Sequence, residues 1–223
     1  MRNADFVKAY KEDAKYYKTC EELNAIKSFD LEKNSSLLDV GAGVGRLSIP
    51  LSDFFKVTAL DIDSRLLKEI KQRNICKVKG DVLSYNPKDK FSILLLSYPN
   101  FGPNVDVTNI VKHFKNSLLR KNGKLILIMG CNKLGKSKWL TDYKKMLKPY
   151  FKILEEKLVE TGYFYKSFET AFKSTKFRDE FFRRKKLTNA DLTKLRNSLN
   201  KCKDKVGNIY LSAFVKILLY QSR

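Results

Sequence analysis

Apolar and polar positions follow two periods along the chain. Phe6, Tyr10, Tyr17 and Leu23 recur at roughly helical spacing, which predicts one or two helices over Asp5–Ser28. Ser36–Val40 reads as a first strand and Gly45–Phe54 as the helix after it. Val57–Asp61 reads as a second strand. Ser64 is expected to cap a helix running to about Arg73, with Leu66, Leu67 and Ile70 on its apolar face. Cys76–Lys79 is a short third strand. Phe91–Ser97 is a near-continuous apolar run, the mark of a strand buried on both faces. Pro99, Gly102 and Pro103 then force a loop. A helix is expected over Val105–Arg120, a turn at Asn122-Gly123, a fifth strand over Lys124–Met129, and a helix over Lys138–Leu147 that Pro149 stops. Phe151–Glu160 and Ile209–Tyr220 read as two late strands.

Strands that alternate with helices imply a doubly wound α/β fold with a mostly parallel sheet. The last two strands break the alternation, because Thr161–Asn208 lies between them and is helical in pattern. The expected organisation is a single domain. Residues 1–30 form a helical lid, 31–160 the core, 161–208 an inserted helical segment and 209–223 the final strand.

The chemistry concentrates at Leu37–Arg46, L-L-D-V-G-A-G-V-G-R. A strand that stops at a glycine-rich turn and opens a helix lets a ligand press against bare backbone at a helix N-terminus. Dinucleotide sites space these glycines as G-x-G-x-x-G. Here Gly41, Gly43 and Gly45 fall at every second position, and Asp39 precedes them. A carboxylate at that strand tip repels a pyrophosphate and suits a ligand carrying an ammonium group. Asp61 ends the second strand, where it can accept hydrogen bonds from both hydroxyls of a ribose. Asp81 follows the third strand and can accept from an adenine amine, with Ile62 and Val82 packing the ring. Each acid alone is most simply a solvated turn or a helix cap. Three at successive strand tips, together with the glycine turn, form a set.

These motifs resemble those of the class I S-adenosylmethionine-dependent methyltransferases over about residues 35–130. L-L-D-V-G-A-G-V-G is similar to that family's first motif, V-T-A-L-D-I-D to its second-strand acid motif, K-G-D-V to its adenine-side motif, and L-L-R-K-N-G-K-L-I-L-I to its fifth-strand entry. Asn122 stands where that entry usually has a first glycine, and Asn tolerates positive φ. The resemblance implies a seven-stranded sheet whose last strand is antiparallel. It also implies S-adenosylmethionine as methyl donor, S-adenosylhomocysteine as product, and no metal. The implied cofactor contacts are Asp39, Gly41, Ala42, Gly43, Gly45, Arg46, Asp61, Ile62, Asp81, Val82, Ser97 and Tyr98.

The acceptor is less explicit. The loop Ser97–Gly102, S-Y-P-N-F-G, resembles in part the [DNS]-P-P-[YFW] motif of amino-adenine methyltransferases. Tyr98 and Asn100 are candidates to orient an acceptor, and Tyr17 (or Tyr16), Asn100 and Phe101 are candidates to contact it. Tyr98 also reads simply as a wall against the cofactor, and the N-terminal tyrosines as packing. His113, the only histidine, reads as a packing residue on a helix. No Pro-Cys nucleophile motif occurs.

The net charge of +21 attracts polyanions or anionic metabolites, and equally describes a lysine-rich solvated surface. Within Thr161–Asn208, 13 Lys/Arg stand against 5 Asp/Glu, a net of +8. Basic residues interleaved with Tyr163, Phe164, Tyr165, Phe168 and Phe172 are able to bind single-stranded nucleic acid. Yet Phe164, Phe168 and Phe172, at i, i+4 and i+8, also describe a helical packing stripe. The leading expectation is methyl transfer to a small anionic molecule, with RNA as the alternative and a non-catalytic binding protein as a third class. Cys20, Cys76, Cys131 and Cys202 are widely spaced, which argues against zinc and for a cytoplasmic protein. No apolar run is long enough to span a membrane. A monomer and a homodimer both remain open.

Overall fold

The computed structural model describes residues 3–99, 106–183 and 185–223. Seven strands form one sheet: β1 Ser36–Val40, β2 Lys56–Asp61, β3 Cys76–Lys79, β4 Phe91–Ser97, β5 Leu119–Cys131, β6 Phe151–Tyr165 and β7 Ile209–Ser222. Their order is β3-β2-β1-β4-β5-β7-β6. β1, β2, β3, β4 and β5 pair in parallel, and β7 runs antiparallel to β5, with Leu127 opposite Leu218. This is the mixed seven-stranded α/β sheet expected from the sequence. The helices are α1 Asn3–Tyr16, α2 Cys20–Lys27, α3 Ser48–Leu51, α4 Ser64–Leu67, α5 Val107–His113, α6 Lys138–Leu147, α7 Phe168–Arg183 and α8 Asn189–Lys201.

The chain divides into two compact units. The larger holds Thr19–Glu160 and Phe214–Arg223, and the smaller holds Met1–Lys18 and Thr161–Ala213. In the larger unit β4 shows why its apolar run is unbroken. Ile93 and Leu95 enter one core with Leu37, Ala59, Ile126 and Ile217. Leu94 and Leu96 enter the other with Leu38, Leu125, Phe114 and Leu218. Period-two alternation thus serves two faces, both covered. Each fully buried Leu or Ile here contributes about 1.5–3 kcal/mol of transfer free energy. In the smaller unit Tyr165, Ala171, Leu199 and Ile209 form a separate core with Tyr16, Tyr163, Phe168 and Phe172 packed on it.

Several elements differ from expectation for local reasons. The helix expected over Gly45–Phe54 is regular only at Ser48–Leu51. Helical bonding does begin at Gly45, whose carbonyl accepts from Ile49 at 2.9 Å, but Pro50 has no N–H for the next rung. The cap of α4 is Asp63, which accepts from the Arg65 N–H, and not Ser64. That helix ends at Leu67 rather than Arg73, because Glu69 and Ile70 bond three residues back and tighten the chain. The helix expected to reach Arg120 stops at His113 and continues as a π-helical stretch, Phe114–Leu118. Leu119 already pairs with Phe91, so Asn122-Gly123 forms an irregularity inside β5, with Asn122 at φ +62°. β6 runs on to Tyr165, so Phe164 belongs to a strand, and the helical stripe is limited to Phe168 and Phe172, stacked 6.2 Å apart.

Candidate functional site

The glycine turn leaves β1 at the sheet edge where the parallel strands β1, β2 and β4 end. Gly41, Gly43 and Gly45 all take positive φ, at +73°, +58° and +82°. This backbone path is costly for other residues, and it aims successive N–H groups into the turn. A side chain at Gly45 would meet Ile70 Cγ1 at 2.8 Å, so that glycine is needed for close packing. One at Gly41 would meet nothing within 4 Å. The backbone at Gly41 therefore borders open space, as a ligand cradle requires.

Asp61 holds this turn to β2. Its carboxylate accepts from Gly43 N at 2.8 Å and from Asp63 N at 2.8 Å, one bond to each oxygen. Each oxygen keeps capacity for a second donor. The Leu60 carbonyl accepts from Gly41 N and Ala42 N at 2.9 and 3.0 Å. Past Asp61 the side chain of Ile62 is 70% exposed, an apolar surface at the tip of a strand. Gly80 N donates to the Asp61 carbonyl at 3.0 Å, which ties the end of β3 to the same edge. Beyond it Val82 is buried, while Asp81 is exposed and accepts from Leu83 N at 3.0 Å, closing a local turn.

Asp39 is buried and accepts from Ser48 Oγ at 2.6 Å. Burial pushes its carboxyl up to about 6, and nearby Asp61 adds to the rise, against the pull of the Ser48 hydroxyl and the Arg46 charge. It acts first as a brace between β1 and α3.

Arg46 and Tyr98 meet at a residue the sequence did not single out. Glu22, on α2, is fully buried and pairs with Arg46, and it accepts from the Tyr98 hydroxyl at 3.0 Å. Arg46 also donates to Ser97 Oγ at 3.0 Å, and its guanidinium lies 5.8 Å from the Tyr98 ring. Tyr98 takes φ +51°, rare for a bulky residue, and its N–H is bonded to the Ile128 carbonyl at 2.9 Å. Strained backbone held by several bonds gathers at ligand sites. One cluster thus links α2, the glycine turn and the end of β4. Only burial distinguishes Glu22 from the exposed Glu21 beside it. The sequence signal was indirect: an arginine directly behind a packed glycine turn needs a buried anion.

The other candidates fall elsewhere. Tyr17 belongs to the smaller unit, edge-to-face with Tyr163 at 5.0 Å. His113 Nε2 lies 3.1 Å from the Tyr85 carbonyl, a packing contact. Asn100 and Phe101 lie outside the described residues. No group of His, Cys, Asp and Glu able to hold a metal occurs among the described residues.

No protein-family model matches the chain, and no curated protein matches it in sequence. Solved structures do. A candidate methyltransferase from Bacillus halodurans superposes with a TM-score of 0.61 at 16% identity, covering 91% of this chain and 98% of that one. The N-methyltransferase NodS from Bradyrhizobium japonicum, in complex with S-adenosyl-L-homocysteine, superposes at 0.51 with 10% identity, covering 84% and 78%. A TehB-like S-adenosylmethionine-dependent methyltransferase from Corynebacterium glutamicum superposes at 0.51 with 14% identity, covering 95% and 88%. The fold is that of the class I S-adenosylmethionine-dependent methyltransferases.

Proposed function

We propose that the protein is an S-adenosylmethionine-dependent methyltransferase acting on a small anionic molecule in the cytoplasm. The observation that carries this reading is the glycine turn: three positive-φ glycines, open space at Gly41, and Asp61 fixing the turn through Gly43. The donor set suits this cofactor. Asp61 has acceptor capacity left for ribose hydroxyls, and exposed Ile62 with Val82 offers apolar cover for an adenine. Asp81 would accept from the adenine amine. Gly41, Ala42, Gly43 and Gly45 would line the methionine and ribose portion with backbone, and Asp39, Arg46, Ser97 and Tyr98 would close the site around it.

The cofactor supplies an electrophilic methyl on a sulfonium, and transfer needs in-line positioning more than proton chemistry. Tyr98, held in a fixed strained conformation by Glu22, is suited to position an acceptor. The positive field of the chain, +21 overall, favours an anionic acceptor. A small molecule is preferred to RNA because Tyr163, Tyr165, Phe168 and Phe172 of the inserted segment are engaged in packing. Tyr165 is fully buried, Phe168 and Phe172 pack on the core of the smaller unit, and Arg178 and Arg196 cover Tyr163 and Phe172. Rings engaged in this way are not available for bases to stack on. Four free thiols are compatible with a reducing compartment.

The test is transfer of radiolabelled methyl from S-adenosylmethionine into a cell extract separated by size. Label in the low-molecular-weight anionic fraction supports the proposal. Label confined to RNA overturns the choice of acceptor. An absence of transfer, with cofactor bound, overturns the enzyme.

A further inference from the structure

β5 ends at Cys131, on the sheet edge where β1 and β4 also end, and the chain then turns sharply into α6. The turn is built around Asn132. Its side-chain oxygen accepts from Leu134 N at 3.0 Å and from Lys136 N at 2.9 Å. Its carbonyl accepts from Gly135 N at 2.8 Å, and its N–H donates to the Lys136 carbonyl at 3.0 Å. Gly135, at φ +70°, seats the turn on β6 and β7: a Cβ there would lie 3.1 Å from Lys216 Cε and 3.7 Å from Leu158 Cδ1. Leu134 is therefore held at the tip of a fixed turn, where it is 69% exposed. Trp139, in the first turn of α6, is 70% exposed, and Leu158 beside the turn is 46% exposed. The core takes Leu140, Tyr143 and Leu147 from α6 and leaves Trp139 in solvent. Tryptophan carries the largest apolar body of any side chain and is highly buried on average, so its exposure here calls for a cause.

The surrounding charge has one sign. Residues 132–148 carry six lysines and one acid, Asp142. Lys144 is bound to Glu156, which Lys216 also binds. Lys133, Lys136, Lys138, Lys145 and Lys148 are exposed, and none of their ammonium groups has an acidic partner among the described residues. A solvated basic face accounts for the lysines but not for an indole and two leucines among them. Single-stranded nucleic acid needs rings for successive bases. Within residues 132–148 the only ring besides Trp139 is Tyr143, which is buried, and leucines give a base nothing to stack on. An interfacial lipid site needs an indole at headgroup level, aliphatic groups reaching the acyl boundary, and lysines for the anionic headgroups. This surface supplies all three.

We propose that the turn at Asn132–Trp139 docks the protein reversibly on an anionic phospholipid bilayer. Trp139 and Leu134 enter the headgroup layer with Leu158 at its margin, and Lys133, Lys136 and Lys138 contact the lipid phosphates and carboxylates. The inference does not depend on the cofactor or the acceptor. Two inserted side chains and a few lysines make a weak, salt-sensitive attachment.

The test uses the full chain with vesicles of phosphatidylcholine, with and without about one-third phosphatidylserine, at about 0.1 M salt. Trp139 reports directly, since it is the only tryptophan of the chain. Its emission is expected to shift to the blue with the anionic vesicles and not with phosphatidylcholine alone, and the protein is expected to sediment with the former. Trp139→Ala is expected to weaken co-sedimentation by about tenfold. The triple variant Lys133→Glu/Lys136→Glu/Lys138→Glu is expected to abolish it. The control Lys33→Glu/Lys88→Glu/Lys90→Glu changes the net charge equally, on exposed lysines just before β1 and β4 at the opposite sheet edge, and is expected to retain most of it. All the changed residues are exposed, and thermal melts check each fold. No blue shift with anionic vesicles overturns the proposal. So does equal binding to phosphatidylcholine alone, a Trp139→Ala that binds as wild type, or a control as weak as the first triple. A blue shift produced by polyuridylate or by raised protein concentration, and not by vesicles, also overturns it and assigns the surface to RNA or to a second copy of the chain.

Discussion

Replacing Asp39 with Asn tests the electrostatics of the strand tip. The folded protein holds the Asp39 carboxyl at about 6, against an ordinary value of 3.8, mainly because it is buried. A group whose folded pKa is raised favours the folded state below its unfolded pKa, and that contribution is lost as pH rises through the folded pKa. The gap of about two pKa units corresponds to about 3 kcal/mol, an upper value for a site with neighbouring charges. Asn has the same shape and can still accept from Ser48 Oγ, but it does not titrate. The assay is urea unfolding of both proteins at intervals from pH 4 to pH 7.5, taking the difference in unfolding free energy so that every other titration cancels. The stability of the variant relative to wild type is expected to rise by up to about 3 kcal/mol between pH 4 and pH 7, and to stay level above. A flat difference across that window would refute the reasoning. So would a difference of opposite slope, which would mean that Arg46 and Ser48 hold the carboxylate more strongly than burial opposes it.

Glu22→Ala leaves the Arg46 guanidinium without its buried partner and is expected to cost about 3–5 kcal/mol in a chemical melt. Glu22→Gln keeps the Tyr98 hydrogen bond and should cost clearly less, and equal losses would contradict the ion-pair account. Gly45→Ala forces a side chain into φ +82° and against Ile70. It is expected to lose about 1–3 kcal/mol of stability. Gly41→Ala, with open space around it, is expected to lose about 1 kcal/mol from the backbone alone. Equal losses at the two glycines, read by thermal melts, would remove the distinction between a packed and a ligand-facing glycine.

What the sequence revealed and what it hid divide along physical lines. β4 and the glycine turn were legible because their signals are local: an unbroken apolar run, and glycines where the backbone needs positive φ. The mostly parallel, doubly wound sheet followed from alternating strands and helices, the antiparallel last strand was implied by the family resemblance, and the strand order itself came only from the structure. Helix lengths were less legible. Pro50 interrupts a ladder that the apolar pattern carries straight through, and Leu119 is drawn into β5 by a partner at Phe91 far back in the chain. Asp63 took the cap that Ser64 was expected to supply, since either residue type serves and only backbone geometry decides. Glu22 had only an indirect signal in the sequence, because its role depends on Arg46 and Tyr98 meeting it across three elements. Phe164 was misplaced because spacing of four suits a helix but cannot show that a strand is still running.

The central claim is that the glycine turn and Asp61 form a site for S-adenosylmethionine, and calorimetric titration tests it most directly. The account predicts saturable one-to-one binding of S-adenosylmethionine and S-adenosylhomocysteine with a Kd of about 1–100 µM, the usual range for a working cofactor. Asp61→Ala is expected to weaken both by about 1–3 kcal/mol, the loss for hydrogen bonds to a charged group. No binding at millimolar ligand, or an affinity unchanged in a folded Asp61→Ala, would contradict it.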